Sequence, residues 1–175
     1  IINPSIATPS TPIFADSSIY NTNVSGLVEG TYSFLWIVRN GNCTASIDSI
    51  TIDVWDRPIV NAGVDTSLCS TYSLQLYATP ITGSSKGQWF LNPSFNNPNT
   101  PNIVNPSQPD ASINGLIEGT YQFIWHVTNG PCFNLYDTII INVYDQPTAV
   151  VGPDQDLCFL NSTISLPPLL APLVG

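Results

Sequence analysis

The chain has 175 residues, 43% of them hydrophobic and only 9% charged, with a formal net charge of −9. Its three cations, Arg39, Arg57 and Lys86, are too few to neutralise a phosphate backbone or to hold an anionic membrane, so nucleic acid is excluded as a partner. No apolar run approaches the roughly 20 residues that a spanning helix needs. A start at Ile1, the absence of methionine and the lack of a positively charged leader make the sequence read as a piece of something longer.

From its first residues the chain is half of a repeat. Asn3-Pro-Ser recurs as Asn92-Pro-Ser, Pro9 as Pro98 and Thr11-Pro12 as Thr100-Pro101, an offset of 89 residues with no gap. The next stretch, Gly26 to Cys43, is identical to Gly115 to Cys132 at 12 of 18 positions. Tyr32, Phe34, Trp36 and Val38, like Tyr121, Phe123, Trp125 and Val127, fall on one face at period two, which predicts a half-buried strand in each copy. Asp48 to Val54 then matches Asp137 to Val143, Asp56 and Pro58 match Asp145 and Pro147, and Gly63, Asp65, Leu68 and Cys69 match Gly152, Asp154, Leu157 and Cys158. Beyond the cysteine the register slips by about one residue. The repeat predicts the back of one module at 1–56, a complete module at 57–145 and the front of another at 146–175.

Within 57–145 the expected strands are Pro58 to Val64 with a continuation to Leu68, Ser73 to Ala78, Gly87 to Leu91, Ala111 to Asn114, Gly119 to Thr128 and Asp137 to Val143. Leu74, Leu76 and Ala78 share one face, as do Ile139, Ile141 and Val143. Segment 92–110 carries five prolines, so it reads as turns with room for a short strand at Ile103-Val104. Many short strands and no helical period predict an all-β, antiparallel, immunoglobulin-like β-sandwich. Leu116-x-x-Gly119-x-Tyr121 and Leu27-x-x-Gly30-x-Tyr32 have the spacing of a tyrosine corner, in which a buried phenol bonds to backbone just upstream. Tyr32, Tyr121, Trp36 and Trp125 are therefore expected to be structural.

Chemistry has little to build on. His126 is the single histidine, without clustered Cys/His spacing for zinc or a catalytic triad, and reads as an ordinary sheet residue. Glu29, Asp48, Asp56 and Asp65 recur as Glu118, Asp137, Asp145 and Asp154, once per module, whereas a glycosidase-type pair would converge in one cleft. Their bland reading is solvated turn acids at strand ends. The sharper one is calcium at module junctions, held by Asp56 and Asp65 or by Asp145 and Asp154. Most aromatics belong to inward faces, while Trp55 and Tyr144 point outward at the end of the last strand and are expected to pack on the following module. No enzyme is expected.

Ala62-Gly-x-Asp-x-x-Leu-Cys69, a Gln88-Trp89 strand, Gly-Leu-x-x-Gly-Thr-Tyr-x-Phe-x-Trp and Asn-Gly-x-Cys together resemble the PKD-like, immunoglobulin-like repeats of large Bacteroidota surface proteins, such as gliding adhesins and other type IX secretion substrates. The resemblance implies an extracellular location on a bacterial cell surface. It also implies that Cys43, Cys69, Cys132 and Cys158 are oxidised, either within a module (Cys69 with Cys132) or across the joint to the next one. Asp48-Ser49-Ile50 and Asp137-Thr138-Ile139 resemble the O-glycosylation signal of such exported proteins. Ser49 and Thr138 are thus candidate acceptors, besides the Asn-x-Ser/Thr triplets at Asn23, Asn42 and Asn161.

Two functions compete. One is a stalk or filament of sandwiches in a surface adhesin, each module adding length, with adjacent modules of the same chain as partners. The other is a module whose loops bind surface glycans or another protein, and a third variant is an accessory domain of a secreted hydrolase. The linkers Asp56-Arg-Pro58 and Asp145-Gln-Pro147 are short and proline-stiffened, which favours the rod.

Overall fold

A computed structural model describes residues 1–149 together with 151, 153, 154 and 156. The period-two runs fold as strands, and among the described residues no helix forms. Residues 57–145 make a two-layer sandwich. Strands β5 (Thr66–Cys69), β7 (Lys86–Leu91), β10 (Gly119–Asn129) and β11 (Phe133–Tyr144) form one sheet in the order β5-β11-β10-β7. Strands β6 (Ser73–Gln75), β8 (Asn102–Val104) and β9 (Ser112–Asn114) form the other in the order β6-β9-β8.

Alternation decides what lies between them. Tyr121, Phe123, Trp125 and Val127 of β10 are fully buried, as are Ile141 and Val143 of β11, against Ile113, Leu76, Leu116 and Trp89. Each fully buried side chain of this size contributes on the order of 1.5–3 kcal/mol. Trp125 lies where a Cβ on Gly87 would be, 2.3 Å from its Cζ2, and packs at 5.1 Å and a 40° tilt against Trp89, so Gly87 has to be glycine. Among the described residues, the core of this sandwich and the side chains packed on it come from residues 60–143.

The expected strand from Pro58 to Val64 does not form. Side chains hold this segment instead: Ala62 N donates to Asp137 Oδ2 at 2.8 Å, and Ile140 N donates to Asp65 Oδ1 at 2.8 Å. Pairing begins only at Thr66, and β5 runs parallel to β11, so the sandwich is not wholly antiparallel. Strand β11 starts at Phe133 rather than Asp137, because Gly130, at φ +53°, allows a tight turn and lets Asn129 pair with Phe133. Asp137 therefore sits mid-strand. It is not a strand-end acid.

Residues 1–56 reproduce the back of this sandwich register for register. Strands β1 (Ile13–Phe14) and β2 (Val24–Ser25) pair as β8 and β9 do, and β3 (Gly30–Val38) and β4 (Ser46–Val54) pair as β10 and β11 do, all at the offset of 89. Pro9 covers Gly30 as Pro98 covers Gly119.

Candidate functional site at the joint between repeats

The tyrosines first set the geometry. Tyr121 Oη accepts a hydrogen bond from Ile117 N at 2.9 Å and meets Asn99, whose Nδ2 donates to Gly115 O. Tyr32 Oη accepts from Val28 N at 2.9 Å and meets Ser10, whose Oγ donates to Gly26 O. Each corner fixes the turn ahead of its long strand, and the acid in that turn, Glu29 or Glu118, is positioned with it.

That acid is not merely solvated. Glu29 Oε1 accepts from Asn129 Nδ2 at 2.9 Å and from Ser84 N at 3.3 Å, across the boundary between repeats. Asn129 is 1% exposed and also donates to the carbonyl of Asp56 at 2.8 Å, tying the linker down. Its Oδ1 is buried without a partner. Gly83, at φ +60°, leaves room for the Glu29 carboxylate, which would lie 2.2 Å from a Cβ there. Beside this clasp the Trp55 ring covers Gly130, where a Cβ would fall 2.3 Å from Cδ2. A cleft of about 270 Å³ runs along the joint, lined by Glu29, Asp56, Arg57, Pro58, Pro80 and Asn129 among others. Every clasp residue but Gly83 and Ser84 belongs to the repeated motif, with counterparts at Glu118, Tyr144, Asp145, Asn40 and Gly41.

The joint could be found in the sequence only as an unexplained recurrence: Glu29 repeats with the strands although it lies on no inward face, and Asn129 puts an amide at the next inward position after Val127. Of the joint residues, the sequence points to Trp55 as packing on the following module, to Asp56 as linker and calcium candidate and to Glu29 as a recurring acid, but not to the contact between Glu29 and Asn129.

The calcium candidates do not gather. Among the described residues no three metal-ligating side chains converge. Asp65 is used by Ile140 N, Asp145 Oδ1 accepts from the Tyr72 hydroxyl at 2.7 Å, and Asp56 and Asp154 are exposed. Ser49 and Thr138 are exposed on their strands. Trp125 is fully buried while its counterpart Trp36 is 42% exposed. Cys43, Cys69 and Cys132 are exposed free thiols; Cys158 and Asn161 lie outside the described residues. Cys69 pairs with Tyr144 at one end of β11 and Cys132 precedes Phe133 at the other, 12 residues or about 40 Å away. That span forbids a Cys69–Cys132 bridge, whose Cα atoms have to lie within about 7 Å.

His126 takes part in an outward cluster that the sequence reading missed. Its ring stacks on Tyr136 at 4.4 Å, lies 6.1 Å from Phe90 and is hydrogen-bonded to Asn134. The counterparts in the first repeat, Ile37, Ile47 and Ile1, are aliphatic.

No family model matches the chain. No curated protein matches it significantly. Among solved structures it is similar to the PKD domain of the KIAA 1837 protein, at 20% identity and TM-score 0.43, over 55% of this chain and 92% of that one. It is similar to domains 4 and 5 of the S-layer protein SbsC at 15% identity and TM-score 0.34, over 70% and 62% of the two chains. Mouse cadherin-23 EC22–24 follows at 11% identity and TM-score 0.37, over 80% of this chain and 51% of that one. The immunoglobulin-like assignment itself rests on the strand order and the two-sheet core. Among the described residues no helix is long and apolar enough to cross a membrane.

Proposed function

We propose that the chain is a non-catalytic spacer: tandem immunoglobulin-like units, bounded at 56/57 and 145/146, that build a semi-rigid stalk in a large extracellular adhesin of the Bacteroidota surface-protein type. The observation that carries this reading is the composition of the joint. A clasp built largely of motif residues can be made again at each step, so one module's sequence encodes both a sandwich and its attachment to the next. The partners in this reading are neighbouring modules, and no cofactor enters it. Small-angle scattering of the chain against Glu29→Ala/Asn129→Ala tests it: the double variant is expected to show a broadened distribution of overall dimensions with unchanged thermal stability of the 57–145 core. An unaltered distribution would remove the clasp as the source of stiffness.

One observation favours a second reading. Phe90, His126 and Tyr136 form an aromatic surface on the outer face of the four-stranded sheet, with Phe90 44% and Tyr136 57% exposed, a type of platform on which sugar rings stack. Glycan-array binding that is lost in Tyr136→Ala would support it.

A further inference from the structure

The outer face of the four-stranded sheet differs in charge from the rest of the molecule. Its outward positions are the even-numbered residues of β7, β10 and β11, joined by Ser67 and Cys69 of β5, which pair with Asn142 and Tyr144. The chain has 12 Asp and Glu, yet not one of them occupies these positions. Lys86, the single lysine, does.

Hydrogen bonding makes the face one-sided as well. Four amides stand on it, and a protein donor already occupies the carbonyl oxygen of each. The Ser107 hydroxyl donates to Gln88 Oε1 at 3.4 Å, Asn92 Nδ2 to Gln122 Oε1, His126 Nε2 to Asn134 Oδ1, and the Thr120 hydroxyl to Asn142 Oδ1 at 2.8 Å. Each NH2 group is left without an acceptor among the described residues. An amide held by its oxygen offers its two N–H donors first. With the Lys86 ammonium these groups suit a ligand rich in acceptors and poor in hydrogens. The rings of Phe90, His126 and Tyr136 lie among them: Gln88 pairs with His126 across the strands, Lys86 stands two residues or about 7 Å further along β7, and Asn134 stands two residues before Tyr136. From Thr128 to Gln122 the face runs about 20 Å, room for several sugar rings in a row.

Folding does not require this arrangement, because the first repeat lacks it. At the same register positions it has Ile1, Ile37 and Ile47 for the rings, Ser33 and Ala45 for Gln122 and Asn134, and a carboxylate, Asp53, for Asn142. Thr31 donates to Asp53 as Thr120 does to Asn142, so the sheet accepts an acid at that position with its contact intact.

Taking the aromatic surface as a sugar platform, the reading on which this step rests, we infer that the face binds a carboxylate-bearing glycan, a chain of uronate-type sugars laid along the sheet. The C–H faces of the rings pack on Phe90 and Tyr136, carboxylate and hydroxyl oxygens accept from the amide groups, and Lys86 meets a carboxylate in a charge-assisted bond. The acids elsewhere on the chain oppose this weakly at physiological salt, where charges separated by more than about 8 Å are largely screened.

The test is calorimetric titration of the 175-residue chain, in about 0.15 M salt, with a short oligogalacturonate and with its methyl ester, which keeps the ring and removes the charge. The acid is expected to bind roughly tenfold tighter than the ester. Lys86→Gln is expected to remove that advantage and Tyr136→Ala to weaken both forms, with melting profiles unchanged because both side chains are exposed. Equal or tighter binding of the ester would overturn the uronate assignment and leave the sugar platform standing. Binding of neither form would overturn it too, and the glycan array then decides the platform by itself. An acid preference that survives both substitutions would put the site elsewhere and overturn the assignment to this face.

Discussion

Gly130 shows how much one residue decides at the joint. Its φ of +53° suits glycine, and the Trp55 ring occupies the space of a Cβ, so Gly130→Val strains the turn and expels the ring together. The expected outcome is a red-shifted Trp55 emission, read in a Trp36→Phe background, with β10 and β11 still paired in amide-exchange protection. Tyr72 offers a second residue-scale test. The hydrogen bond its hydroxyl donates to Asp145 Oδ1, together with that carboxylate's charge, holds the Tyr72 phenol above its ordinary range. A raised phenol contributes stability below its unfolded pKa, and the contribution is lost as pH rises through the folded value. Tyrosinate titration followed by ultraviolet absorbance should show a late-titrating phenol that Asp145→Asn moves earlier; a titration curve that Asp145→Asn leaves unchanged would contradict the contact.

At the scale of the element, equal sequences have unequal costs. Ile139 and Ile50 occupy the same register position opposite Phe123 and Phe34. Ile139→Ala is expected to cost roughly 2–4 kcal/mol in denaturant unfolding, as a cavity in a closed core does, and Ile50→Ala well under that. Similar losses would mean that the face of 1–56 is covered. The long strands were legible beforehand because period-two burial on a sheet leaves a mark in the residues themselves: Tyr121 to Val127 could lie no other way. The start of the module was not. Ile59, Val60, Ala62 and Val64 look like a strand, yet Asp65 and Asp137 supply the hydrogen bonds that a ladder would have made, and such long-range side-chain pairing writes no periodicity. The joint hid for a related reason. Glu29 and Asn129 are 100 residues apart, and a turn acid looks the same in sequence whether it faces water or a buried amide.

For the whole molecule, the account turns on whether the clasp holds one orientation. Linker, carboxylate, buried amide and indole all act at one point, and the motif repeats most of them at the next. Cys43 and Cys132 are equivalent sites in successive repeats, exposed and chemically addressable, so the vector between them is the step from one repeat to the next. The deciding measurement is the electron-spin distance between labels on these two cysteines, with Cys69→Ser and Cys158→Ser, at dilution where single copies prevail. A rod with a built joint gives one narrow distance of about 35–45 Å, the length of a module of such strands. A broad distribution, unchanged when Glu29→Ala is added, would show independent beads on a free linker and contradict the stalk.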